Sequence, residues 1–182
     1  VYAIERDVML AGGTDPQIIG FPLPGSVQNT NTVYSPEPAN LLGTTSPTDV
    51  PGYIVYLQDD GWGGVTFDHL KVWEIDIDFV TPSNSTISAP LEIPTDPFNS
   101  VFAPFGSGDV AQPGTGNKID MIGGVISYAA NYRSFGTHNS WVITFNDDID
   151  GNDTSGVRWI ELRNDGVNPW EVYQEGTYAP AD

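Results

Sequence analysis

Three short apolar runs follow one another between residues 128 and 178, and turn-forming residues close each of them. The first run is 140–145 (SWVITF), followed by an acidic, Gly-containing loop at 146–156. The second is 157–163 (VRWIELR), which ends at an Asn-Asp-Gly turn, and the third is 170–174 (WEVYQ). Strands joined by such short turns pair in sequence order, so this stretch predicts an antiparallel meander.

Alternation within the second run indicates which side chains share a face. Val157, Trp159 and Glu161 fall on one side of the predicted strand, and the residues between them fall on the other. Residues 125–133 have the character of a fourth strand. A four-stranded meander rich in Trp and Tyr is the unit of a β-propeller blade. We therefore predict one blade-like meander over residues 117–178.

A second set of runs predicts another meander earlier in the chain. Residues 52–58 (GYIVYLQ) are mainly apolar, and 85–93 supply a further strand. In 70–80 (LKVWEIDIDFV), Trp73, Ile75, Ile77 and Phe79 fall on one face, and Glu74, Asp76 and Asp78 fall on the other. Together they predict a blade-like unit over residues 52–97. The preceding stretch, 25–51, is polar and contains many Pro, Asn and Thr residues, so it is predicted to be a surface loop.

Charge and composition limit the classes of partner. The chain has 24 acidic and 6 basic residues and a formal net charge of −18. Nucleic acid and membrane surfaces are therefore unfavourable partners, since phosphate binding needs clustered Lys and Arg. The chain has no Cys, which excludes disulfides and thiolate metal sites. No apolar run is long enough to insert into a membrane.

The predicted fold is all-β, built from antiparallel meanders that form part of a β-propeller. A β-sandwich is the alternative, because it is assembled from the same short strands and turns. Residues 1–182 are treated as one β-rich unit. The 20 Gly and 15 Pro residues agree with many turns and few helices.

Several short motifs together resemble a family of large secreted, propeller-like proteins from environmental bacteria. They are IERDVMLAG (4–12), LKVWE (70–74), PSNST (82–86), QPGT (112–115), YRSFGTH (132–138), GVRWIELR (156–163) and QEGTYAP (174–180). The resemblance implies a propeller fold and export, in some members through type IX secretion. The function of that family is mostly uncharacterised, and it supplies no catalytic residues. It also implies that this chain is an inner fragment of a longer propeller.

One loop has the composition of a calcium site. The oxygen-bearing residues that crowd it are Asp147, Asp148, Asp150, Asn152 and Asp153. Calcium binds six to eight hard oxygens, and the Asp-x-Asp-Gly-Asn order resembles part of a calcium loop. The bidentate Glu that ends such loops is missing. The alternative is a solvated acidic turn, and no other cofactor is predicted.

Three residues are candidates for ligand binding. Trp62 lies between glycines, where an exposed indole could stack on a sugar, although a core position is an equal alternative. Arg133 could bind a carboxylate and His138 could exchange a proton, or both could be structural. Glu74 and Glu161 are the carboxylates a polysaccharide-cleaving enzyme would use, but no catalytic constellation is recognisable.

These observations favour a secreted, extracellular binding or adhesion module that recognises a glycan or a protein. One alternative is a fragment of a propeller-type enzyme acting on polysaccharide. Another is a structural segment that joins the remainder of its own polypeptide or another chain, because incomplete propellers leave open strand edges.

Overall fold

The computed structural model describes residues 1–27, 35–43, 47, 50–103, 110–127 and 129–179. Tyr128, which begins the predicted meander region, lies outside the described residues, as does much of the predicted loop at 25–51.

The described residues are nearly all β. Two short helices are present, α1 (Arg6–Leu10) and a 3-10 turn at Pro82–Asn84. The strands are β1 (Tyr2–Ile4), β2 (Ile18–Gly20), β3 (Glu37–Leu41), β4 (Gly52–Gln58), β5 (His69–Asp76), β6 (Thr86–Ile87), β7 (Leu91–Pro94), β8 (Val110–Ala111), β9 (Lys118–Ile119), β10 (Ala130–Ser134), β11 (Asn139–Asp148), β12 (Ser155–Asn164) and β13 (Glu171–Tyr178).

Both predicted meanders are present, and they belong to a single sheet. Its order is β13-β12-β11-β10-β3-β4-β5-β6, with β7 also pairing with β5. The sheet curls into a half-barrel. The prediction of all-β antiparallel meanders is confirmed, but the two meanders join edge to edge and do not form two separate blades. β1 pairs with β2 and β8 pairs with β9 outside this sheet.

The link between the meanders is β3, which lies within the stretch predicted to be a surface loop. It pairs in parallel with β10 and antiparallel with β4, so the loop prediction for 25–51 is wrong at Glu37–Leu41. The Pro content misled the prediction. Pro38 faces Ile54 in the short β3–β4 ladder, and the strands stay paired over Glu37 and Pro38 only. Proline is tolerated where a ladder ends because no bond from its nitrogen is needed there.

An aromatic cluster fills the inner, concave side of the sheet. Tyr53 on β4 lies with its ring centroid 6.0 Å from Tyr132, 6.0 Å from Trp141 and 5.4 Å from Trp170. These rings come from three different strands and the β12–β13 turn, and all four are buried. Burial of such large rings contributes much of the stability of a core. The sequence pattern favours core positions for Trp141, Trp159 and Trp170; Trp141 and Trp170 are buried as predicted, whereas Trp159 is only partly buried.

The N-terminal segment covers the opposite face of β4 and β5. Trp73 Nε1 donates to the Pro24 carbonyl at 2.9 Å. Gln58 is fully buried, and its side-chain amide accepts from Val27 N and donates to Val27 O, both at 3.0 Å. The amide therefore pairs with the backbone as a neighbouring strand would. β4 consequently has no solvent-facing side, which explains its continuous apolar run.

Buried carboxylates hold the segment after β7 against the end of the sheet. The bonds run from Ser100 N to Asp59 Oδ2 (2.6 Å), from Phe98 N to Asp68 Oδ2 (2.8 Å), from Asn99 N to Asp147 Oδ1 (2.9 Å) and from Ala103 N to Asp153 Oδ1 (2.9 Å). We call residues 96–103 the strap. It joins the sheet by one backbone bond, from Asp148 N of β11 to the Asn99 carbonyl at 2.7 Å, and these side chains satisfy backbone donors that a full ladder would otherwise satisfy.

Candidate functional site

The four-stranded sheet β10–β13 has one buried side and one open side. Trp141, Ile143 and Phe145 point into the core, so Val142 between them points outward, and 38% of it is exposed. We call the outward side the outer face. The 121–127 segment contacts one end of this face, where Thr144 Oγ1 donates to the Ser127 carbonyl and Asn146 Nδ2 donates to the Met121 carbonyl. The N-terminal segment, which packs on the corresponding side of β4 and β5, has no contact of this kind with Val142 or Tyr173, and both are exposed.

Cross-strand register arranges the outer face in rows. One row is Arg133, Ser140, Arg163 and Glu171, and the next is Asn40, Asn131, Val142, Glu161 and Gln174. Two further rows carry Thr144, Trp159 and Gly176, and then Asn146, Val157 and Tyr178. Adjacent strands lie about 4.8 Å apart, so each row presents polar groups at regular steps across the sheet.

Glu161 is the centre of the hydrogen bonding on this face. Its carboxylate accepts from Ser140 Oγ at 2.7 Å, Arg163 Nε at 2.6 Å and Gln174 Nε2 at 2.7 Å. Burial raises the pKa of Glu161, but these hydrogen bonds outweigh that effect and hold the pKa below its usual value. The group is therefore a fixed anion at neutral pH, and it locks three strands together on the outside of the sheet.

A bulge in β13 places an aromatic ring beside this hub. Glu161 pairs with Gln174 and Leu162 pairs with Val172, which leaves Tyr173 as the extra residue. The Arg163 guanidinium lies over the Tyr173 ring at 3.5 Å from its centroid, and the ring stays 55% exposed. Bulges redirect side chains in this way, and the cation over one side of the ring fixes its orientation.

Trp159 supplies a second aromatic surface on the outer face. Its indole lies across Gly176 of β13, so closely that a Cβ at that position would be 3.2 Å from Trp159 Cζ2. Trp159 is only partly buried. Glycine at 176 therefore lets the indole lie flat against the backbone of the next strand.

The predicted ligand residues Arg133 and His138 meet at the β10–β11 turn. The Arg133 guanidinium lies 5.0 Å from the centroid of the Phe135 ring, and His138 stacks on Phe135 at 4.9 Å with an interplanar angle of 14°. Thr137 Oγ1 lies 3.1 Å from His138 Nδ1. Phe135 itself is exposed at the rim of the outer face. The sequence places Phe135 in the same Gly-containing turn as Arg133 and His138 but gives it no role of its own, and it does not single out Tyr173.

Trp62 does not fit the predicted role of an exposed sugar platform. Only 2% of it is exposed, and it packs against Tyr56 with 5.7 Å between ring centroids. The surrounding glycines make a turn that folds the indole inward. The core alternative for Trp62 is the observed one.

Of the five predicted calcium ligands, Asp147 and Asp148 end β11, and Asp150, Asn152 and Asp153 lie in the turn to β12. No three of the four Asp carboxylates meet within 4.8 Å. Both Asp147 oxygens accept hydrogen bonds, from Asn99 N and from Thr177 Oγ1. Asp148 accepts from Gly151 N at 3.0 Å. The remaining bonds run from Asn152 N to Asp150 Oδ1 at 2.8 Å and from Ala103 N to Asp153 Oδ1 at 2.9 Å. In the described part of the chain these oxygens mainly serve backbone donors of the turn and the strap.

A different acidic trio does converge. Asp59, Asp60 and Asp68 each place a carboxylate oxygen within 4.8 Å of the other two, and Asp59 and Asp68 are buried. Burial raises the pKa of Asp68, the Phe98 and Asp60 backbone N–H groups lower it, and the Asp59 and Asp60 charges raise it again, with a net increase. Sequence spacing alone did not indicate this trio, because the 61–67 turn separates Asp68 from Asp59 and Asp60.

Glu74 and Glu161, the two carboxylates considered for hydrolysis, lie on opposite sides of the sheet. Glu74 pairs with Tyr53, whose ring is in the inner cluster, whereas Glu161 points to the outer face. A glycoside-cleaving pair must flank one bond from a shared cleft. This pair cannot do so.

Comparison with known proteins finds no matching family model, no matching curated protein and no matching solved structure. Within the described ranges, no helix has the length and apolar character required to span a membrane.

Proposed function

We propose that this protein is a secreted carbohydrate-binding module that holds a polysaccharide chain against its outer face. The observation that carries the proposal is the exposed, oriented Tyr173 ring beside the hydrogen-bonding hub at Glu161.

Sugars need two kinds of contact, and the outer face offers both. The C–H-rich side of a sugar ring stacks on an aromatic ring, which Tyr173, Tyr178 and the partly exposed Trp159 provide. The hydroxyl rim needs fixed donors and acceptors, which the polar row of Asn131 and Gln174 provides. The side chains stand on strands, so their spacing is rigid before a ligand arrives.

The charge of the outer face also suits a polar ligand. Arg133 and Arg163 balance Glu161 and Glu171, although the chain as a whole carries −18. A strongly acidic surface would favour cations or basic proteins. A balanced face with exposed rings favours a carbohydrate.

A binding module fits this arrangement better than a hydrolase. A general acid needs a raised pKa, but the hydrogen bonds to Glu161 lower its pKa. Export, a place within a larger propeller, calcium binding and association with the remainder of the polypeptide or another chain stay predictions. Membership of the family of secreted propeller-like proteins also stays a prediction.

The test is binding to a panel of soluble polysaccharides by affinity gel electrophoresis, followed by calorimetry on those that retard the protein. Tyr173→Ala is expected to weaken binding about tenfold or more, because a central aromatic residue often dominates an interface. Tyr2→Ala is the matched control, since Tyr2 is 79% exposed but lies on β1, outside the main sheet.

The proposal is supported if a polysaccharide retards the wild type and Tyr2→Ala in the gel but no longer retards Tyr173→Ala. Equal affinity of the two variants, or no retardation by any polysaccharide, refutes it. Circular dichroism of each variant checks that the fold is retained.

A further inference from the structure

Arg133 is unusual among the cations of this acidic chain. Arg163 pairs with Glu161, Arg158 with Glu175 and Lys71 with Glu92. Arg133 has no carboxylate of a described residue within 4.0 Å, although 24 of the 182 residues are acidic. Within the described residues its guanidinium lies over Phe135 and forms no ion pair, so its N–H groups are left for a ligand or water.

The turn holds this guanidinium in place. Phe135 N donates to the His138 carbonyl at 2.9 Å, and Gly136 adopts the left-handed conformation (φ +83°) that closes the hairpin. Both Arg133 and His138 pack against the Phe135 ring. A pre-oriented guanidinium loses less side-chain entropy on binding than a free one, which favours bidentate recognition of a planar anion.

The groups around Arg133 do not oppose an anion. Its cross-strand neighbour is Ser140, and beyond Ser140 lies Arg163, which separates Arg133 from Glu171 at the far end of the row. On the other side, Leu42 N donates to the Tyr132 carbonyl and brings no charge. Glu161 lies one row away and already pairs with Arg163. The Debye length is about 8 Å at physiological salt, so the acids elsewhere in the chain are largely screened.

We infer that the ligand is an acidic polysaccharide and that Arg133 binds the carboxylate of a uronic acid residue. The inference rests on the proposed function, because the sugar rings must lie on the same outer face. The guanidinium fork matches the two oxygens of a carboxylate. Arg133 and Arg163 stand in one row with Ser140 between them, so the rings that they contact, Phe135 and Tyr173, lie by the same row of the outer face. A sulfate ester has similar oxygens, and the experiment separates it from a uronate.

The experiment compares one polysaccharide in two forms, polygalacturonate and the same chain with its carboxylates reduced to primary alcohols. A sulfated neutral galactan is the third ligand. The wild type is expected to prefer the uronate over its reduced form by about tenfold to a hundredfold, the usual worth of a charge-assisted bidentate contact. Arg133→Gln is expected to abolish that preference while still binding the reduced chain.

Two variants sharpen the result. Arg133→Lys is expected to keep only part of the preference, because an ammonium cannot make the bidentate contact. Arg6→Ala removes an equal charge from α1, away from the outer face, and is expected to change nothing. Calorimetry measures each affinity.

Equal affinity of the wild type for the two forms overturns the inference, as does a preference that survives in Arg133→Gln. Tighter binding of the sulfated galactan than of the uronate also overturns it. If the reduced chain still binds in a Tyr173-dependent manner, the proposed function stands and only the uronate assignment fails. If no polysaccharide binds, both fail.

Discussion

Asp59 allows a direct test of how the strap is held. Its carboxylate is 1% exposed and accepts from Ser100 N at 2.6 Å, Ser100 Oγ at 2.6 Å and Gly61 N at 2.7 Å. Asp59→Ala removes the acceptor of all three donors. Ser100 is also 1% exposed, so its N–H and O–H cannot turn to water. Buried donors left without a partner are costly, and here two are left on one residue.

The magnitude follows from the number of lost bonds. Each unsatisfied buried donor costs about 1–3 kcal/mol, and removing the buried charge recovers part of the total. We expect Asp59→Ala to lower the free energy of unfolding by about 3–5 kcal/mol, because two buried donors of Ser100 and the N–H of Gly61 lose their acceptor. For a chain of this size each kcal/mol shifts Tm by about 2–4 °C, so Tm should fall by about 6–20 °C.

Two companion variants, compared in the absence of calcium, make the measurement decisive. Asp60→Ala is the control, because Asp60 belongs to the same acidic trio but is exposed. Its removal relieves repulsion on Asp68, so Tm should stay constant or rise. Ser100→Ala loses only the hydroxyl bond and should cost about 1–1.5 kcal/mol.

Scanning calorimetry measures the Tm of each variant, first in a chelator and then with calcium added. If Asp59→Ala lowers Tm no more than Asp60→Ala does, the hydrogen bonds to Asp59 do not hold the strap and the prediction is wrong. A loss that appears only in the presence of calcium would assign the trio to a metal ion and not to the strap.

Two further changes test the turn chemistry and the outer face. Gly176→Ala should push the Trp159 indole away from β13, which should shift the indole NMR resonance and weaken polysaccharide binding severalfold. Gly116→Ala is the control, because there is open space around its Cβ, and it should cause none of these changes. Backbone N–H groups of Asn168 and Val167 lower the pKa of Asp165 from 3.8 to about 2. The stability from ionised Asp165 is therefore fully present above pH 3.8 and is lost as the pH falls through about 2. In an NMR titration, the amide resonances of the β12–β13 turn should shift with a midpoint near pH 2. A midpoint near pH 4 would contradict this prediction.

The sequence predicted the local structure well where periodicity and turn chemistry agree. β4 has the predicted bounds, and Arg158, Ile160 and Leu162 share the buried side of β12 as the alternation indicated. The 70–80 run alternates as predicted, but its strand ends at Asp76, and the chain then turns at Asp78. These features depend on neighbours within a few residues, which the sequence displays directly.

The candidate site was predictable only in part. Arg133 and His138 were identified from their position in a Gly-containing turn, and they do lie together. Tyr173 was not, because its orientation depends on a bulge that becomes visible only when β12 and β13 are paired. Trp62 was ambiguous because a Gly-flanked indole fits either a loop surface or a folded-in turn.

The sequence by itself determined the all-β class, the two meanders and the sides of their strands, because side chains alternate with a period of two whatever the strand pairs with. Only the tertiary structure decided that β3 joins the meanders into one sheet and that the N-terminal segment covers β4 and β5 but leaves β10–β13 open. The physical reason is that strand order and coverage depend on contacts between residues far apart in the chain, such as Trp73 with Pro24. The preference of a residue for a strand does not indicate which distant residue it will contact.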